Sequence, residues 1–501
     1  MENDRPLGPQ APAGASTFIR HRTAWLAALL VVLTAAAGVA ARVDRADAVA
    51  GGADARALRF APSAGGPVEF GARLDREAVL VDGEGRVMME LVLRGREADD
   101  RTPVRTPTDL VVVLDRSGSM QGAALAHARA SARELMARLD AADRFALVSY
   151  ANDARVDIPL DAATDEAQRR WRTRLDGLVA QGGTNMARGL DLAHGIATGA
   201  RTAGRGVRVI LISDGHANQG DHSLEGLRSR AGRAVAGEFV LTTVGVGDGF
   251  DERLMTALAD AGTGNFYYVR EAGNLASVFS DEFLSARETV ARALAVEIAP
   301  GEGVRVADAA GYPLERSGGA VFVRPGALFA GQERRLWLTL EVEPPTRAEA
   351  GRSVDLGRFA LHYRQLDDSP RTLALDEAPR VAVVAQAREF YAAMDAEAYI
   401  DQLASDGLGR LRQRVAAAVE AGDGDRAQSL LDAFSSHNAV QLRALGYEAE
   451  ENASLQEAGR MKEQVERALS PSAPPAAANA LRKSLSSQGH DERRAGAKRS
   501  K

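Results

Sequence analysis

Along the chain the apolar positions change period several times, and each change marks a boundary. Leu110 to Leu114 is a short unbroken apolar run, suited to a strand buried on both faces. Gly122 to Leu139 follows with helical spacing. The pattern then repeats. Phe145–Tyr150, Val207–Ile212, Phe239–Val246 and Asn265–Val269 read as strands, and Asp165–Val179, Met186–Ala197, Leu224–Val235, Asp251–Ala261 and Leu275–Ala286 as helices. Strands alternating with helices predict an α/β domain over residues 108–286, a doubly wound, mostly parallel sheet.

Both flanks have a different texture. Val68 to Arg96 alternates in places and predicts two or three strands in a β region over residues 67–104. Beyond Ala293, short strand-like runs separated by Gly and Pro predict a β-sandwich over 293–385. One sheet can recruit both flanks of an inserted domain, so the earlier strands are expected to pack with this sandwich. Residues 386–469 read as a helical region with short connections. Ser470 to Lys501 shows no apolar period and carries seven Lys/Arg against two Asp/Glu, which predicts a disordered basic tail.

Ala24 to Ala41 carries no charge, and Arg20, His21 and Arg22 precede it. That order predicts a cytoplasmic leader over residues 1–23, then a transmembrane signal anchor or a cleaved signal peptide over 24–41. The positive-inside rule puts the bulk of the chain outside the cytoplasmic membrane, single-pass if anchored and secreted or periplasmic if cleaved. At about 1.5 Å per residue the run spans roughly 27 Å, marginally enough for a bilayer. Residues 42–66, rich in Gly and Ala, read as a linker.

Composition narrows the chemistry. The 501 residues allow roughly three domains. There is no cysteine, so disulfides, zinc–thiolate sites and thiol catalysis are excluded. A net charge of −6 argues against nucleic acid as the main partner. No Gly-Lys-Ser/Thr phosphate loop, G-x-S-x-G elbow or G-x-G-x-x-G turn occurs, so no small-molecule substrate and no catalysis are expected. His194, His216 and His222 match no zinc spacing. Trp25, Trp171 and Trp337 read as packing or interface residues.

Three strand-to-loop junctions carry the candidate chemistry. The first strand ends in Asp115-Arg-Ser117-Gly-Ser119, one carboxylate and two hydroxyls on a tight loop. Gly182-Gly183-Thr184-Asn185 is a Gly-rich entry to a helix. The Val207–Ile212 strand ends in Ser213-Asp214-Gly215. Open α/β sheets bind at the carboxyl ends of their strands, so these loops converge on one edge. Asp115, Ser117, Ser119, Thr184 and Asp214 are all hard oxygen donors. They suit Mg²⁺, with Mn²⁺ or Ca²⁺ as alternatives. Arg116, Met120, Gly183, Asn185 and Gly215 are candidates for contact with a partner. Met120 and Met186 are placed at the apolar wall of the site.

These residues resemble the metal-ion-dependent adhesion site of von Willebrand factor type A domains. The likeness rests on Asp115-Arg-Ser-Gly-Ser-Met120, the Gly-Gly-Thr184 loop and Ile212-Ser-Asp214-Gly, in family order on the expected elements. It implies direct ligation by Ser117 and Ser119, with Asp115 and Thr184 in the site and Asp214 acting directly or through water. The expected function is a metal-dependent protein-binding module that meets an Asp or Glu carboxylate of a partner protein. The resemblance also implies that affinity is linked to movement of the last helix, here Leu275 to Ala286; because that helix leads directly into the β-region, a pull on it is expected to couple the flanking domain to the site. The alternatives are a scaffold whose metal only stabilises the loops, or a Mg²⁺-dependent hydrolase.

Overall fold

The computed structural model describes residues 59–60, 66–97 and 106–494, apart from positions 203, 272–273, 344, 346, 475 and 84. The leader, the apolar run at 24–41 and most of the 42–66 linker lie outside these residues. Among the described residues no helix is long and apolar enough to cross a membrane.

The central sheet has six strands in the order Thr263–Val269, Val240–Val246, Gly206–Ser213, Thr108–Asp115, Arg144–Tyr150, Ala154–Ala162. All neighbours run parallel except the last pair. Every residue of Thr108–Asp115 and of Gly206–Ser213 is buried, as their unbroken apolar runs require. Side chains alternate between faces along a strand. Leu110, Val112 and Leu114 therefore join one core with Leu135, Trp171 and Phe279. Val111 and Val113 join the opposite core with Leu190, Leu227 and Leu258. The Thr108–Asp115 strand lies between two parallel neighbours whose helical connections leave on opposite faces, so its carboxyl end opens into a crevice. Side-chain caps start the surrounding helices: Thr164, Asn185, Ser223 and Asp251 each accept from a backbone N–H in the first turn.

The flanking strands form a sandwich. One sheet runs Arg59–Phe60, Val68–Leu74, Arg86–Gly95, Glu333–Val342, Val304–Ala309. The other runs Glu315–Ser317, Ala320–Phe329, Thr289–Pro300, Gly357–Arg364, Pro370–Ala374. A small third sheet joins Ala78–Leu80 to Arg380–Val384 and Ser353–Asp355. Arg86–Gly95 pairs along its length with Glu333–Val342. The chain segments before and after the central domain thus share one core, from Phe70 and Leu91 to Leu338 and Phe359. The helix Leu275–Arg287 passes into the Thr289–Pro300 strand with only Glu288 between them.

Helices follow from Ala387 onward, the longest being Gly424–Ala444. The segment from 470 departs from the disorder its composition suggests. Ala477–Arg493 is a helix, and Lys483, Leu485, His490 and Arg493 on it are buried. It meets Leu408–Glu420 at a glycine crossing, where a Cβ on Gly409 would stand 2.7 Å from Gly489 O. Arg493 bonds Asp406, and also Asp308 in the sandwich. Arg412 bonds Glu492. The helix is held by ion pairs and backbone approach more than by an apolar stripe, so it leaves little period in the sequence.

Candidate metal centre

The site begins with Asp115, fully buried at the last position of its strand. Both its oxygens are occupied. Oδ1 accepts from Ser117 N at 2.8 Å and Oδ2 from Ser213 Oγ at 2.7 Å. Ser117 Oγ and Ser119 Oγ are 3.0 Å apart. Ser119 Oγ donates to Asp214 Oδ1 at 2.6 Å. The hydroxyls of Ser117 and Ser119 thus lead to Asp214, and the Ser117 backbone N–H ties the same loop to Asp115 across two strand ends. Burial raises the pKa of both carboxyls, more than the donors from Ser117, Ser213 and Ser119 lower them. The charge of Asp214 adds to the upward shift of Asp115. A cation would relieve both effects, so the oxygen set fits a hard divalent ion.

The loop bearing Thr184 is tied to this run from two sides. Gly118 N donates to Gly182 O at 3.0 Å, and Gln181 N to Arg116 O at 2.8 Å. Thr184 N donates to Asn218 Oδ1 at 2.9 Å, and Asn218 N returns a bond to Thr184 O at 3.1 Å. Gly182 has φ +79°, a conformation L side chains rarely adopt, and a Cβ there would meet the Asn152 amide at 2.9 Å. Thr184 itself is buried. Gly215 leaves room beside Ser119, since a Cβ would stand 3.2 Å from Ser119 Oγ.

The candidate contact residues separate into two groups. Gly183, Asn185 and Gly215 lie on the rim. Asn185 caps its helix through Arg188 N and also donates from Nδ2 to Asn152 O at 3.1 Å. Arg116 and Met120 do not face outward, which corrects the expectation for both. Arg116 is 8% exposed and donates from Nε to Ser149 Oγ at 3.1 Å. Burial, and the nearby charge of Arg155, lower its pKa. Met120 is wholly buried in the core under the loop. Met186 is buried on the opposite face of the sheet.

Three residues that sequence patterning missed hold the loops in place: Asn152, Ser213 and Asn218. Asn152 and Asn218 are single polar residues in loops and Ser213 ends its strand; each has a partner distant in the chain, so only the aligned strand ends reveal it. His194, His216 and His222 stand apart, and His216 lies 3.8 Å from Asp251 at the surface. Among the described residues no group of three or more His, Cys, Asp or Glu is placed to hold a metal, so the candidate centre relies on hydroxyls as much as carboxylates.

Comparison with known proteins bears on this arrangement. The family model for the von Willebrand factor type A domain matches residues 109–281. The uncharacterized protein YfbK of Escherichia coli (strain K12) is 31% identical over 204 residues, covering 40% of this chain and 35% of that one. The uncharacterized protein sll0103 of Synechocystis is 28% identical over 260 residues, covering 49% and 60%. The chain thus spans less than two thirds of the length of these curated relatives. A solved structure titled von Willebrand factor type A from Catenulispora acidiphila superposes with a TM-score of 0.63 at 18% identity, covering 86% of this chain and 98% of that one. At that identity the likeness is one of fold, and it takes in the flanking regions as well as the central sheet. The chain therefore contains a von Willebrand factor type A domain, residues 109–281.

Proposed function

We propose that this chain is a metal-dependent protein-binding module. Asp115, Ser117, Ser119, Thr184 and Asp214 would hold a divalent ion of the Mg²⁺ type. The observation that carries the reading is the hydrogen-bonded cluster of two carboxylates and two hydroxyls, Asp115, Ser117, Ser119 and Asp214, at the open end of the sheet. Two carboxylates only just neutralise a divalent ion, which leaves it Lewis acidity toward a carboxylate of a partner protein. The chain's own groups set the geometry. Ser213 fixes the rotamer of Asp115, while Asn218 and Asn152 fix the Thr184 loop. Gly183, Asn185 and Gly215 shape the rim that a partner meets. No catalytic step is assigned to these residues. The charge order around Arg20 to Ala41 supports exposure outside the cytoplasmic membrane.

Affinity capture from cell-envelope extract tests the reading, with the full chain as bait in Mg²⁺, in chelator, and as Asp115→Ala in Mg²⁺. The proposal expects a protein retained only by the unaltered chain with metal. Equal recovery in all three conditions would remove the metal bridge and leave a scaffold that uses another surface.

A further inference from the structure

At the amino end of the central sheet, away from the metal loops, the structure buries positive charge. Arg208, near the start of Gly206–Ser213, donates from Nη1 to Glu282 Oε2 at 2.6 Å. Arg494, just after the C-terminal helix, pairs with Asp260 at 2.7 Å and lies over the Tyr312 ring at 3.7 Å. Those two guanidinium groups each have a carboxylate. Arg334, on Glu333–Val342, has none: among the described residues it makes no ion pair, and its guanidinium meets neutral partners, the carbonyls of Pro325 and Ala327 and the side chain of Tyr312. The residue is 5% exposed. The charges that face it, those of Arg208 and Arg494, share its sign. An arginine does not shed its proton to escape burial, so the excess charge stays.

Arg334 and Arg208 line the same small, partly enclosed polar cavity between the central sheet and the sandwich, with Asn265 and Tyr312. The Nε atoms of Arg208 and Arg334 are both buried without a hydrogen-bond partner. The cluster thus contains three guanidinium groups against two carboxylates, Glu282 and Asp260, and donors left over on the two arginines that line the cavity. Leaving a charge buried and uncompensated costs several kcal/mol. A water molecule would satisfy a donor but not the charge.

We propose that this cavity binds one chloride-sized monovalent anion, held by Arg334 and Arg208, which joins the von Willebrand domain to the sandwich. The excess of one charge sets the valence. The tight fit between sheet and sandwich sets the size, excluding organic acids such as gluconate.

Thermal melting of the full chain in sodium chloride and in sodium gluconate at equal ionic strength tests this. Saturating chloride is expected to raise Tm by roughly 2–4 °C over gluconate. Arg334→Gln should abolish the difference between the salts. Bromide diffraction on the unaltered protein stands independently of how that variant folds: an anomalous peak between Arg208 and Arg334 is expected. Equal Tm in both salts, or bromide found only at exposed basic residues, would overturn the proposal and leave water in the cavity. Neither readout depends on the metal loops.

Discussion

At the carboxyl end of the central sheet, Asp115 and Asp214 share one run of hydroxyls, and burial works against their charge. Near its amino end, Arg208, Arg334 and Arg494 crowd together against fewer carboxylates. One end concentrates acceptors, the other donors. The difference lies in how each is built. The acceptor end uses loops, whose polar residues reach a crevice open to solvent and partners. The donor end is sealed by the sandwich and the C-terminal helix, so its charges serve the joint between regions. A buried ionic group beside the crevice points to binding, while one beneath a covered face points to assembly.

The largest expected effect is at Glu282. It is wholly buried and accepts from Arg208, Thr242 Oγ1 at 2.9 Å, Asn265 Nδ2 at 2.8 Å and Tyr267 OH at 2.9 Å. This anchors the last helix of the domain, Leu275–Arg287, to three strands of the sheet. Burial alone would push the Glu282 pKa up, but Arg208 and the three donors outweigh it and hold it below the usual range. Glu282→Gln is expected to cost about 3–5 kcal/mol in chemical denaturation, since it strands a buried Arg208. The depressed pKa fixes the sign with pH. The contribution of Glu282 is fully present above its unfolded pKa, about 4.3, and is lost as pH falls through the folded value. A stability profile over that acidic window should be flatter in Glu282→Gln than in the unaltered chain. A variant as stable as the parent would show that this end of the sheet is not held by its charges.

Lys483 ties the C-terminal helix to the loop that follows Val240–Val246. From the C-terminal helix its Nζ donates to Asp248 O and Phe250 O, on either side of Gly249, where a Cβ would stand 3.0 Å from Asp214 O. Its ammonium lies 4.2 Å from the Phe250 ring centroid. Lys483→Met should destabilise by about 1–3 kcal/mol and speed amide exchange at residues 248–250. Unchanged exchange there would confine the tail's role to the helical region.

The smallest expected effect is at Ser213. Ser213→Ala removes the donor that orients Asp115 Oδ2. A roughly 10-fold weaker Mg²⁺ affinity is expected in calorimetry, with the fold intact. Full affinity in this variant would mean that Asp115 needs no support from the neighbouring strand.

The same contrast explains what could be read from the chain. The sheet and the three loops are contiguous patterns: an apolar run, then a carboxylate, hydroxyls or glycines within a few residues. Alternation marks strands in Val68–Arg96, but their partner follows only from the rule that one sheet can recruit both flanks of an inserted domain; in the structure Arg86–Gly95 pairs with Glu333–Val342. The outward reach assigned to Arg116 failed because loop position says nothing about which way a side chain turns, and Ser149 on the adjacent strand takes its guanidinium. The C-terminal helix was illegible for a related reason. Its buried positions are Lys483, His490 and Arg493 as well as Leu485, and their partners lie in other regions of the chain. Asn152 and Asn218 were hidden likewise, each a lone amide whose role exists only once Thr184 and Gly183 are beside it.

The most direct test is calorimetric titration of Mg²⁺ into the full chain and into Asp115→Ala, with thermal melting of both in chelator. The account predicts one bound ion per unaltered chain, no binding by the variant, and a variant that still melts cooperatively. Equal binding by both proteins, or none by the unaltered chain with Mg²⁺ or Mn²⁺, would contradict it.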